Sequence, residues 1–207
     1  MVVGVSTLAN FRNHAFSWQE GVMTDLGTSG GDHSEAVDAN SFGVAVGHSG
    51  VQDRACMFHD GLVTDLGTLG GTHSYGNKIN DAGQVAGESE TASGGWRAFI
   101  TQGGSLVDLG TLGGNFGGAY GINQVGQVVG YSTLFGDATA HVARWDNGTI
   151  VDLGSLGGDF AFAWAINDHG DVVGEGLTAG NAETRAFLSR NGAIVDLNTL
   201  QIGRAHV

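Results

Sequence analysis

Proline is absent from this 207-residue chain, cysteine occurs once, and lysine and arginine together number eight. Without proline no turn can be set by a locked φ, so tight turns fall to Gly, Asn and Asp. The single cysteine, Cys56, cannot close an internal disulfide and offers no thiolate metal cluster. Eight basic residues against 21 acidic ones give a net charge of −13 and a pI near 4.7. A nucleic-acid or anionic-membrane footprint needs clustered Lys and Arg, so neither partner is expected. The acidity is compatible with solubility and with divalent cations; no cofactor is evident, and Ca²⁺ is the one ion the composition suggests. No apolar run approaches the roughly 18 residues of a membrane span, and no signal peptide stands at Met1.

Glycine is abundant instead, at 38 residues, with no collagen period. It belongs to a repeat. Asp-Leu-Gly occurs at Asp25, Asp65, Asp108 and Asp152, with a degraded copy at Asp196, at spacings of 40, 43, 44 and 44 residues. A fixed period of about 40 to 50 residues marks a propeller or repeat array. Each copy holds four short blocks, seen clearly in Ser74–Asn80, Gln84–Ser89, Ala98–Thr101 and Leu106–Leu109. Asx-Gly or Gly-Gly turns close the first pair and the second pair, and a longer variable loop joins the pairs. Blocks this short, rich in Val and Phe, read as strands.

Four antiparallel strands repeated about every 43 residues describe a propeller blade. The expected fold is an all-β propeller of about five four-stranded blades in one domain over residues 1–200. The first blade is incomplete, because Val2–Ser6 matches the second block. The small residues Ala36, Gly76, Ala119 and Ala163 place the first block innermost. Residues 201–207 match nothing earlier and read as an artefactual tail on a truncated frame, Ile202–Val207 matching a translated sequencing adapter. An open blade edge invites pairing with another chain, so a homo-oligomer is expected.

His14-Ala15-Phe16-Ser17-Trp18, Asp65-Leu66-Gly67-Thr68-Leu69-Gly70-Gly71 and Ile166-Asn167 with Val172-Val173-Gly174 resemble the HAF-repeat family of probable extracellular repeat proteins. The resemblance runs over roughly residues 2 to 200. It implies a bacterial protein, secreted or on the cell surface, built of propeller-like repeats. It brings no established activity or catalytic residues. Cys56 stands where the motif has Phe, and Val142-Ala143 where it has Ala-Phe, which suggests softer packing in those two blades.

Several columns of the repeat carry chemistry-bearing residues. The Asp column could form a ring of calcium ligands. A basic residue stands eleven positions before each Asp, however: His14, Arg54, Arg97, His141 and Arg185. A cross-strand ion pair in every blade is therefore the favoured reading. The Asn column (Asn40, Asn80, Asn123, Asn167) reads as turn chemistry. Trp18, Phe58 and Trp145 read as sheet packing, with carbohydrate stacking as the minor alternative.

Function is sought where the repeats differ, on loops held by a rigid frame. The candidate binding residues are His33, Glu35, His73, Trp96 and Asp159. Two imidazoles with carboxylates nearby could bind a metal or act as acid and base, or they simply cover the blade tops. Trp96 could stack a ligand or plug a groove. No nucleophile motif, phosphate loop or zinc signature appears. The leading functional expectation is thus an extracellular, non-enzymatic module binding a glycan, a surface polymer or a protein. The alternatives are a polysaccharide hydrolase or lyase, with His33, His73, Glu35 and Asp159 around a central opening, and a purely structural segment of a longer repeat protein.

Overall fold

The computed structural model describes residues 1–199; Leu200 and the non-repeat tail 201–207 lie outside the described residues. The chain is all-β, and no helix among the described residues is long and apolar enough to cross a membrane. The repeats fold into five successive meanders. The first has three strands, β1 (Val2–Thr7), β2 (Asn13–Gln19) and β3 (Val22–Gly27). The second has four, β4 (Ser34–Ala39), β5 (Ala45–Ser49), β6 (Arg54–His59) and β7 (Leu62–Asp65). The third holds β8 (Gly70–Ile79), β9 (Val85–Thr91), β10 (Trp96–Gln102) and β11 (Ser105–Asp108). The fourth holds β12 (Gly113–Ile122), β13 (Val128–Leu134), β14 (Ala140–Asp146) and β15 (Thr149–Gly154). The fifth holds β16 (Gly157–Ile166), β17 (Val172–Thr178), β18 (Thr184–Arg190) and β19 (Ala193–Asp196). Within each, neighbours in sequence pair antiparallel. Among the described residues no strand ladder joins the first meander to the fifth.

The turns explain why these blocks become hairpins. The last hairpin of each repeat turns on two residues of positive φ, as at Asp60 (φ 51°) and Gly61 (φ 74°) or Asn147 (φ 46°) and Gly148 (φ 80°). That is the type I′ geometry whose twist matches the flanking strands. One boundary differs from the sequence expectation. The Gly-rich crossover was expected to lie between strands, yet Gly70, Gly113 and Gly157 each begin the first strand of their repeat. They pair with Thr91, Leu134 and Thr178 before a register shift.

The apolar cores lie between the meanders. Val46 and Ala55 of the second sheet meet Ile79, Val85 and Phe99 of the third. Ala86 and Ala98 of the third meet Val128 and Trp145 of the fourth, and Val129 and Val142 of the fourth meet Val172 and Phe187 of the fifth. Ala15 of the first meets Ala36 and Phe58 of the second. No sheet therefore has a core of its own, which is the condition of repeat architectures. The small first-strand column follows from this stacking. A methyl at Gly76 would stand 3.1 Å from the carbonyl oxygen of Gly47 in the preceding sheet. Crowding comes from that neighbouring backbone.

The departures from the His-Ala-Phe motif prove to be exchanges of volume. Phe99 and Phe187 are fully buried, and two residues on stand Thr101 and Ser189. Cys56 and Ala143 occupy the motif position in the second and fourth meanders, and two residues on stand the buried Phe58 and Trp145. Positions two apart on a strand share a face, so each of these sheets carries one large ring at one of two neighbouring sites. The softer packing expected in these meanders is thus corrected: the ring has moved by two residues.

The basic–Asp pairs form in all five repeats. His14 and Asp25 approach to 2.9 Å, Arg54 and Asp65 to 3.6 Å, Arg97 and Asp108 to 3.9 Å, His141 and Asp152 to 2.9 Å, and Arg185 and Asp196 to 3.0 Å. The same Asp carboxylates accept from the backbone N–H two residues on, as Asp108 does from Gly110 at 2.8 Å. The Asn column does turn chemistry and more. Asn80 Oδ1 accepts from Gln84 N at 3.0 Å, while Nδ2 donates to the Asn123 carbonyl at 3.1 Å. Asn40 likewise reaches Asn80 at 3.3 Å and Asn123 reaches Asn167 at 3.1 Å, so a ladder of amides ties four meanders together.

Candidate functional site

Aligning the meanders separates constant positions from variable ones. The second-strand glycines Gly47, Gly87, Gly130 and Gly174 are constant for a steric reason. A methyl at Gly87 would run into the Tyr75 carbonyl oxygen and the Phe99 ring. Their neighbours on the opposite face vary in chemistry. In β4–β5 the cross-strand pair is Glu35–His48, in β8–β9 Tyr75–Glu88, in β12–β13 Gly118–Tyr131, and in β16–β17 Phe162–Glu175. Cross-strand neighbours on one face interact directly, so each repeat presents its own pair on a common frame.

At the second meander His33, just before β4, and Glu35 alternate onto one face, with His48 across the ladder. One ligating atom from each lies within 4.8 Å of the others. The two imidazole rings are 5.5 Å apart, Tyr75 stands edge-on to His48 at 5.0 Å, and Trp96 stacks on Tyr75 at 5.7 Å. Burial holds the His48 imidazole below its ordinary pKa, while Asp53 and Glu35 pull it upward. His33 also lines a cavity of about 710 Å³ beside Arg12, Asp32 and Asp53. An ion pair of 2.9 Å between Arg12 and Asp32 belongs to the same cavity wall.

A second group centres on Glu88. Tyr120 donates its hydroxyl to Glu88 Oε2 at 3.2 Å. Gly118 makes the room, since a methyl there would collide with that carboxylate and stand 2.9 Å from the Tyr131 ring. Burial pushes the Glu88 carboxyl above its ordinary pKa, against the Tyr120 hydrogen bond. It also raises the Tyr131 phenol to about 12 and Tyr120 further still. Tyr131 packs edge-on to Phe162 at 5.1 Å, and Trp164, 46% exposed, leans on Tyr120 at 5.1 Å. The surface thus offers ring faces beside a carboxylate, an arrangement that can stack on apolar ligand faces and accept hydrogen bonds from hydroxyls.

The structure brings three of the five sequence candidates into one neighbourhood: His33, Glu35 and Trp96. Trp96 opens β10 rather than lying in the long loop. His73 is held elsewhere, its Nδ1 2.7 Å from Thr72 Oγ1 and 3.5 Å from Glu90. Asp159 sits in the fifth meander, its backbone N–H donating to Asn181 at 2.8 Å and its carboxylate accepting from the same side chain at 2.6 Å. The fourth meander makes the same pair with the partners exchanged, Asn115 against Asp137. Asp159, near the start of β16, is thus clasped to the loop that follows β17, and no three of His33, His73, Glu35 and Asp159 bring ligating atoms within 4.8 Å of one another. Sequence reasoning missed His48, Tyr75, Glu88, Tyr120, Tyr131, Phe162 and Trp164. The signal was available: these residues flank the constant small columns of the repeat.

Comparison with known proteins adds nothing to this geometry. No family model matches the chain, and no curated protein matches it.

Proposed function

We propose that the chain is a non-enzymatic binding module that holds a glycan across its variable strand columns. The observation that carries the reading is the row of half-buried rings around Glu88. Tyr120, Tyr131, Phe162 and Trp164 contact one another across two meanders, and Glu88 accepts from Tyr120. Sugars have apolar faces for rings and hydroxyls for carboxylates. Ligand sites combine an apolar lining with a few placed polar groups, and this row has both. Under the same reading the meanders are blades of a propeller, with the first strand of each next to the first strand of its neighbour. The repeat pattern supports this, as does the stacking of sheet upon sheet. The motif likeness supports membership of the HAF-repeat family and a place outside the cell or on its surface.

The test is a glycan array followed by tryptophan fluorescence titration of the hits. Trp164→Ala and Tyr120→Phe should each weaken binding by at least about tenfold, the loss of about 1.4 kcal/mol, and leave the melting temperature within a few degrees. Binding untouched by both substitutions would remove this surface from consideration.

A further inference from the structure

We propose that His33, Glu35 and His48 form a zinc site of the open, three-ligand kind. The three ligating atoms converge to within 4.8 Å. Around a tetrahedral ion with bonds of about 2.0–2.1 Å, two ligands lie about 3.3 Å apart. Small χ rotations of about 1 Å at each side chain therefore close the set. Nothing in the backbone has to move, because the pleat already supplies the geometry: His33 and Glu35 share a face two residues apart, and His48 is the cross-strand partner of Glu35.

The donor set selects the metal. Two imidazoles and one carboxylate suit a borderline ion such as Zn²⁺, whereas Ca²⁺ takes six to eight oxygens. The calcium suggested by composition has no comparable oxygen cage in this group. Three protein ligands leave a fourth position for water or an anion. All three side chains are part-exposed, so an ion can reach them from solvent.

The third meander supplies an internal control. Its corresponding residues are His73, Tyr75 and Glu88, so one imidazole remains but the first-strand carboxylate is replaced by a phenol. The proposal stands apart from the glycan reading, because zinc is titrated with no sugar present.

The experiment is zinc titration by calorimetry on untagged full-length protein, together with Co²⁺ substitution read by visible absorption. One zinc per chain and the intense bands of tetrahedral cobalt are expected. His33→Ala, Glu35→Gln and His48→Gln should each weaken zinc by more than about 100-fold, since even partners outside the ligand set are worth 10- to 100-fold. His73→Ala should leave it unchanged. Circular dichroism checks each fold; Glu35→Gln, nearly isosteric, carries the test if a histidine variant does not fold. No stoichiometric zinc, calcium binding in its place, or wild-type affinity in Glu35→Gln would each overturn the proposal.

Discussion

If the large ring can occupy either of two sites on the third strand, moving it should be tolerated where deleting it is not. Phe99 is fully buried between the second and third sheets. Phe99→Ala should cost about 3–5 kcal/mol, the usual range for a buried phenyl. For a chain of this size each kcal/mol lowers the melting temperature by about 2–4 °C, so a fall of about 6–20 °C follows. The double variant Phe99→Ala with Thr101→Phe copies the fourth meander, where Ala143 precedes Trp145 by two. The setting is alike: Thr101 Oγ1 accepts from Val85 N–H, and Trp145 stands across from Val128. Thr101 also borders a groove of about 280 Å³ beside Met57 and Leu66, on the face that Phe99 uses, which gives the ring room. The new ring restores most of the buried apolar area. Losing the threonine hydroxyl leaves the Val85 N–H without its 2.8 Å acceptor, at about 1–3 kcal/mol. The double variant should therefore recover roughly half of the loss. Urea unfolding followed by circular dichroism, with calorimetry for the melting temperature, measures both. A double variant no more stable than Phe99→Ala would refute the exchange of volume.

Other consequences are open to direct measurement. Asn80→Asp keeps the acceptor for Gln84 N but loses the donor to Asn123, so it should destabilise by about 1–3 kcal/mol in urea unfolding. Asp108→Asn should cost less than about 1 kcal/mol, since the ion pair with Arg97 is half-exposed, whereas Asp108→Ala also loses the Gly110 turn bond and costs about 1 kcal/mol more. Glu88 binds its proton more tightly folded than unfolded, so wild-type stability should fall as pH rises above the ordinary glutamate value of 4.5. Glu88→Gln should flatten that part of the melting-temperature profile, and an unchanged slope would speak against a buried carboxylate. Burial pushes the Cys56 thiol up to about 11, so native Cys56 should react with a disulfide reagent at least about 100-fold more slowly than the unfolded chain.

The strand pattern was legible because it is written five times. The Asp-Leu-Gly period placed the fourth strands, Asx-Gly turns placed the hairpins, and the eleven-residue offset paired His14 with Asp25 and Arg185 with Asp196 before any contact was known. The site was only half legible. His33 and Glu35 stood out as a histidine and a carboxylate two apart, but their third partner, His48, is thirteen residues from Glu35 in sequence. Only the ladder register makes them neighbours. Trp96 was assigned to a loop, whereas β10 begins with it. The deeper reason lies in where the repeats differ. Loop residues such as Asp137 and Asn181 differ yet make the same clasp in the fourth and fifth meanders, so their differences cancel. Glu35, Tyr75, Gly118 and Phe162 vary on a rigid strand outside the apolar cores, so their differences accumulate into one chemically varied face.

Cores shared between sheets have a bearing on how such a chain is assembled over generations. Every junction presents the same kind of face to the next repeat, with small residues on the first strand and a ring on the third. A duplicated segment of one period would arrive carrying both halves of a working joint. Tandem copying or loss can thus change the length of the molecule without redesigning its interior. Meanwhile the variable pairs, which lie outside the shared apolar cores, are left to drift toward new ligands one repeat at a time.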